Sequence, residues 1–159
     1  MGRSPPGKSF TIVPSFVDTN VLVYAEDRDA GRKHELARDL IVALWNDRTG
    51  VVSVQVLQEL YVTLIRKVRR ALAPARALEI VREYLTWQVV DNTSALLVDA
   101  IALQQKSGIS FWDASIVQAG ISAGCDRLYS EDLNAGQRFG RLEVVNPFAP
   151  PKRGTGEVK

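Results

Sequence analysis

Ser15-Phe16-Val17-Asp18-Thr19-Asn20-Val21-Leu22 sets a short apolar run directly against a carboxylate, a hydroxyl and an amide. Such a run reads as a buried strand, and the polar triplet that ends it as a strand-to-helix junction. Working outward, Val51–Ser53, Trp87–Val90, Arg127–Ser130 and Leu142–Val145 are further strand-length runs, five with the first. Between them apolar residues recur at helical spacing: Leu36/Leu40/Leu44 with Ala37/Ile41, then Leu57/Leu60/Leu64/Val68, Leu78/Val81/Leu85 and Leu97/Ile101. Pro74 suits a first helical turn, Ser94 and Ser110 suit N-caps, and Gly108 and Gly124 suit helix ends. Strands alternating with amphipathic helices predict a parallel α/β fold whose helices lay their stripes on the sheet. In such a sheet a ligand site lies beyond the carboxyl ends of the strands, where the strand order reverses.

The 159 residues, 46% of them apolar, are enough for one core, so a single domain over residues 10–148 is expected. Residues 1–9 and 149–159, rich in proline, glycine and charge, are expected to be flexible tails. No apolar run is long enough to cross a bilayer, and the N-terminal stretch has no apolar segment of the secretory kind. A cytoplasmic location is therefore expected. One cysteine, Cys125, excludes an intrachain disulfide and a thiolate zinc site, and it is expected to be a small buried residue. The formal charge of +2 carries no argument for nucleic acid, because phosphate affinity comes from clustered cations.

Four carboxylates carry the chemistry. Asp18 ends the first strand, and Glu59 stands one and a half turns into the helix after the second, with Gln55 one turn earlier on the same face. Asp113 follows Ser110 in a first helical turn, and Asp132 follows the fourth strand in Ser130-Glu131-Asp132. All four therefore map to strand ends or to the helices that follow them. Converging carboxylates repel one another, whereas a hard divalent cation turns that repulsion into coordination, and oxygen donors suit Mg2+ or Mn2+. Such a site supports phosphodiester hydrolysis without histidine, so the sole histidine, His34, is dispensable.

Phe16-Val-Asp18-Thr-Asn-Val-Leu22, Ser53-Val-Gln-Val-Leu-Gln-Glu59-Leu60, Phe111-Trp-Asp113-Ala114 and Tyr129-Ser130-Glu-Asp132-Leu133, in that order, resemble the PIN-domain toxins of bacterial VapBC toxin–antitoxin pairs. The resemblance spans Phe16 to Phe148, although 17 residues precede Asp18 where the family usually has only a few. It implies a three-layer α/β/α fold around a five-stranded parallel sheet and a Mg2+- or Mn2+-dependent endoribonuclease. It also implies homodimerisation and inhibition by a cognate antitoxin. Asp18, Glu59, Asp113 and Asp132 match the family's catalytic and metal-binding acids, and Asn20 and Ser130 match polar positions that support an acid or the bound phosphate.

Simpler roles stand beside these. Asp18 alone is an ordinary helix cap, and Asp113 alone a favourable charge in a first turn. Glu131 neighbours Asp132, but the Ser-x-Asp spacing selects Asp132 and leaves Glu131 solvated. Arg66, Lys67, Arg69 and Arg70 at the end of the Glu59 helix complement its dipole as well as an RNA backbone. Trp45 and Trp112 can stack bases, but core packing is the simpler expectation. A groove between the early helices would suit an amphipathic antitoxin segment. A DNA nuclease using the same metal chemistry is one rival function, and two others stand beside it. One is a catalytically weak PIN-fold module that binds RNA or a partner. The other is a haloacid-dehalogenase-like phosphatase, which needs a second acid two residues after the first, where this chain has Asn20.

Overall fold

The computed structural model describes residues 13–150. The expected tail 1–9 lies outside the described residues, as does the tail 149–159 except for Ala149 and Pro150. Six strands form one sheet: β1 (Ser15–Val17), β2 (Gly50–Ser53), β3 (Gln88–Val90), β4 (Arg127–Tyr129), β5 (Arg138–Phe139) and β6 (Leu142–Val145). Their order is β3-β2-β1-β4-β6-β5. All neighbours are parallel except β5, which pairs antiparallel with β6.

The expected sheet of five parallel strands is thus corrected to a mixed sheet of six. The five expected strands are present, and the two-residue β5 joins them through a tight reversal at Gly140, whose φ is 61°. Two residues give no periodicity to read, so this edge is invisible in the sequence.

Six α-helices cover the sheet. The helices α1 (Thr19–Glu26), α2 (Arg32–Asp47), α3 (Val54–Arg66) and α4 (Pro74–Tyr84) pack on one another, and α2 and α3 reach β2. The remaining two, α5 (Ser94–Ser107) and α6 (Phe111–Ser122), pair with each other, and α6 lies on β2, β4 and β6. Right-handed crossovers that move one way from β1 to β3 and back the other way to β4 place the two groups on opposite faces, giving the α/β/α layering.

Caps follow local chemistry. Ser110 Oγ accepts from Asp113 N at 3.1 Å, Pro74 opens α4, and Gly108 ends α5 in the left-handed region at φ 73°. The cap of α5 is Thr93 rather than Ser94: its Oγ1 accepts from Leu96 N at 3.1 Å, placing Ser94 one residue inside the helix.

The core runs through both faces of the central strands, with Phe16, Val17, Val52 and Leu128 wholly buried. Two helical stripes are rotated from their expected register. In α4 the buried residues are Ala77, Ile80 and Tyr84, while Leu78 and Leu85 are exposed. In α5 only Ala100 is fully buried, and Leu97, Val98 and Ile101 face outward. These helices pack mainly on a neighbouring helix, where a small residue such as Ala77 or Ala100 permits close approach, so counting leucines misplaces the buried face. Cys125 is buried as expected, and burial, with Asp126 second, pushes its thiol up to about 12.

Candidate active site

The strand order reverses between β1 and β4. From β1 the chain moves outward to β2 and β3, and from β4 it moves the other way to β6. The register Val17↔Tyr129 ends both strands together, so Asp18 and Ser130 emerge side by side at the switch point.

Asp18 is buried and caps α1, its Oδ1 accepting from Thr19 N at 2.7 Å and its Oδ2 from Ser130 Oγ at 2.8 Å. Burial is the chief reason its pKa rises from 3.8 to about 6. The hydrogen bonds from Ser130 and Thr19 oppose that rise, while the charges of Glu59 and Asp132 add to it. Ser130, itself wholly buried, also accepts from Leu133 N at 3.4 Å, which closes the turn carrying Glu131 and Asp132.

The other carboxylates are held by neutral donors. Glu59 Oε2 accepts from Thr19 Oγ1 at 2.8 Å, and its Oε1 from Gln55 Nε2 at 3.1 Å, one helical turn away as the spacing predicts. Asp132 Oδ2 accepts from Asn20 Nδ2 at 3.0 Å, while Asn20 Oδ1 accepts from Glu131 N at 3.3 Å. Consecutive residues of the first junction, Asp18, Thr19 and Asn20, thereby tie together α1, α3 and the turn after β4. Asp113 sits in the first turn of α6, half-buried, and among the described residues its carboxylate makes no hydrogen bond or ion pair.

The structure thus links Asp18, Glu59 and Asp132 through Thr19, Asn20 and Ser130, and among the described residues joins Asp113 of α6 to none of them by a hydrogen bond. Among the described residues, no three His, Cys, Asp or Glu side chains converge closely enough to form a metal cage. Magnesium does not require one: it keeps several waters and binds through one or two carboxylates together with substrate phosphate. The donor set, a buried carboxylate flanked by two charged ones and otherwise only oxygen and amide groups, fits a hard divalent cation.

Two readings need correction. Glu131 is not solvated: its Oε1 accepts from Lys33 Nζ at 2.8 Å and from the Tyr24 hydroxyl at 3.4 Å, and its Oε2 is buried without a partner. Lys33 also lies 5.1 Å from the Tyr24 ring centre and 5.9 Å from that of Phe148, so a cation and two rings brace the turn that presents Asp132. Nothing in the sequence signals Lys33, which is 98 positions from Glu131. Thr19 was visible beside Asp18, but its service to Glu59 was not.

The basic cluster Arg66, Lys67, Arg69 and Arg70 stands apart from the acids. A helix that follows a parallel strand runs back from the strand's carboxyl end, so Arg66 lies about 10 Å beyond Glu59 along α3, on the side away from the acids. Arg70 is engaged by Asp29 at 3.2 Å, while Arg66, Lys67 and Arg69 are exposed. The second correction concerns the indoles. Trp45 packs against Tyr84 and Trp87 in keeping with a structural role, whereas Trp112 is 65% exposed and is no core residue.

Comparison with known proteins agrees with this architecture. The PIN domain family model matches residues 15–140. Among solved structures the chain is similar to Mycobacterium tuberculosis VapC20, described as a toxin that cleaves the sarcin-ricin loop. The match has 24% identity and a TM-score of 0.56, covers 74% of this chain and 88% of that one, and shows a shared fold. No curated protein sequence matches the chain. With a family model that matches residues 15–140, most of its length, the chain belongs to the PIN-domain family.

Proposed function

We propose that this protein is a divalent-metal-dependent endoribonuclease, the toxin of a toxin–antitoxin pair. The observation that carries this reading is Asp18, buried at the sheet's switch point, with the charges of Glu59 and Asp132 acting on it and Ser130 and Thr19 holding its two oxygens. Charge repulsion at such a place is costly to folding and has a use in binding a cation. Asp18, with Glu59 and Asp132, would hold Mg2+ or Mn2+, and Asp113, free of competing contacts among the described residues, completes the set on the side of α6. When bound, the cation would activate a water and stabilise charge on the phosphate.

The chain's own residues do the positioning. Ser130 fixes the Asp18 carboxylate and, by lowering its pKa against the effect of burial, favours its ionised form at neutral pH. Thr19 and Gln55 aim Glu59, and Asn20 aims Asp132 while clamping the Glu131 backbone. The absence of an acid at position 20 disfavours the phosphatase alternative, since Asn20 is spent holding Asp132.

Partners follow from the same reading. An antitoxin segment is proposed for the groove of about 240 Å³ between α1, α2 and α4, where Val42 and Trp45 are partly exposed between Arg38 and Glu83. A homodimer is proposed through the outward apolar residues Leu97, Val98 and Ile101 of α5. A cytoplasmic site of action is part of the proposal; no helix among the described residues is long and apolar enough to cross a membrane. The proposed role of Arg66, Lys67, Arg69 and Arg70, distal to the acids, is to extend the RNA track.

The test is cleavage of mixed RNA in Mn2+, in Mg2+ and in chelator, with Asp113→Asn as the control for contaminating nuclease. Cleavage by the parent alone, abolished by chelator, is expected. Identical behaviour of parent and variant would overturn intrinsic catalysis and favour a binding module.

A further inference from the structure

A cavity of about 380 Å³ opens beside the acids, with Gln55 and Gln58 of α3, Asn92 and Thr93 after β3, and Phe111 and Trp112 of α6 among its walls. Two of its lining residues tie it to the acids. Gln55 lines it and also donates to Glu59 at 3.1 Å, and Trp112 directly precedes Asp113. The indole of Trp112 is 65% exposed, and the ring of Phe111 packs against it at 5.2 Å and 68°, which holds its plane. Gln58 and Asn92 are exposed, and among the described residues neither makes a side-chain hydrogen bond, so each offers a free donor and a free acceptor.

We infer that this cavity is a subsite for one unpaired nucleobase of the RNA beside the phosphate that is cut, with Trp112 as the stacking face and Gln58 and Asn92 reading the base edge. The inference rests on the ribonuclease reading and adds to it the source of sequence preference. An exposed aromatic face supplies stacking to any base, while an amide with one donor and one acceptor discriminates among base edges. The volume is at the small end of ligand pockets and suits a flat group rather than a helix. Amides and a threonine hydroxyl in the wall match a base edge, while Leu96 and Leu97, which also line the cavity, give an apolar wall for a flat ring; Leu97 is shared with the proposed dimer face, whose Val98 and Ile101 lie further along α5.

The experiment compares parent, Trp112→Ala, Trp112→Phe and Gln58→Ala on an RNA carrying a randomised window, with cut ends sequenced, and on bis-p-nitrophenyl phosphate, a diester without bases. The parent is expected to prefer particular bases at one position flanking the cut. Trp112→Ala is expected to lower RNA cleavage relative to diester hydrolysis by about 5- to 150-fold. Trp112→Phe restores most of it, and Gln58→Ala flattens the preference at that same position. A Trp112→Ala protein that cuts RNA with the parent's rate and base profile overturns the subsite and leaves the nuclease reading standing. Parent protein that cuts neither substrate overturns the nuclease reading. Binding of the same RNA pool then decides the subsite, with equal affinity and base enrichment in Trp112→Ala refuting it and loss of both supporting it. If Trp112→Ala abolishes self-association in sedimentation while the base profile persists, the indole belongs to a contact between copies and the subsite is refuted.

Discussion

Replacing Asp18 with Asn should make the protein more stable while abolishing its activity. The Asp18 carboxyl rises from 3.8 to about 6 on folding, chiefly because it is buried and secondarily because Glu59 and Asp132 face it. That difference corresponds to about 3 kcal/mol of folding free energy withheld when the group is ionised. A group whose folded pKa is raised contributes stability that is fully present below pH 3.8 and is lost as the pH passes through about 6. The amide introduced by Asp18→Asn has no charge to desolvate, and its oxygen can still accept from Thr19 N. Thermal unfolding in chelator at pH 7.5 should therefore show the variant about 6–12 °C above the parent. The gap should narrow steadily between pH 6 and pH 4. Mg2+ added at pH 7.5 should raise the parent's midpoint and leave the variant's almost unchanged, because a ligand stabilises only the protein that binds it. A variant less stable than the parent at pH 7.5, or a gap that does not change with pH, would refute the claim that Asp18 is held against an electrostatic and desolvation cost.

Two further outcomes test the surrounding structure. Ser130→Ala removes the hydroxyl that donates to Asp18 at 2.8 Å, so activity or metal affinity should fall about 10- to 100-fold, and the acid limb of the pH–rate profile should move to higher pH because that bond lowers the Asp18 pKa. Gly50→Ala would place a Cβ 2.4 Å from carbons of the Trp87 indole, which Trp45 and Tyr84 brace at 5.4 and 5.2 Å. It should cost about 1–3 kcal/mol, read as a lower urea midpoint with unchanged slope.

Much of this protein was legible along the chain because the physics involved is local. A run such as Phe16-Val17 has to be buried, Ser110 and Gly108 cap helix ends through their own backbone neighbours, and Gln55 reaches Glu59 because four residues make about one helical turn. Asp18, Glu59 and Asp132 were legible because they lie at strand ends or in the helix that follows a strand, and parallel strands deliver their carboxyl ends to one edge of the sheet; Asp113, in a helix that follows another helix, was legible only through its Ser110 cap and its motif. Other features depend on which surfaces meet. The buried stripes of α4 and α5 follow Ala77 and Ala100 rather than the leucines, because a neighbouring helix, not the sheet, covers them. The two-residue β5 exists only because β6 offers it an edge. Thr19 meets Glu59 across 40 positions only after α1 and α3 pack together, and Lys33 of α2 meets Glu131 only once α2 lies against the turn after β4. Trp112 shows the same division: the sequence by itself determined an aromatic residue beside Asp113, but whether that ring is buried or open depends on how closely α3 and α5 approach it, and only tertiary packing decides that.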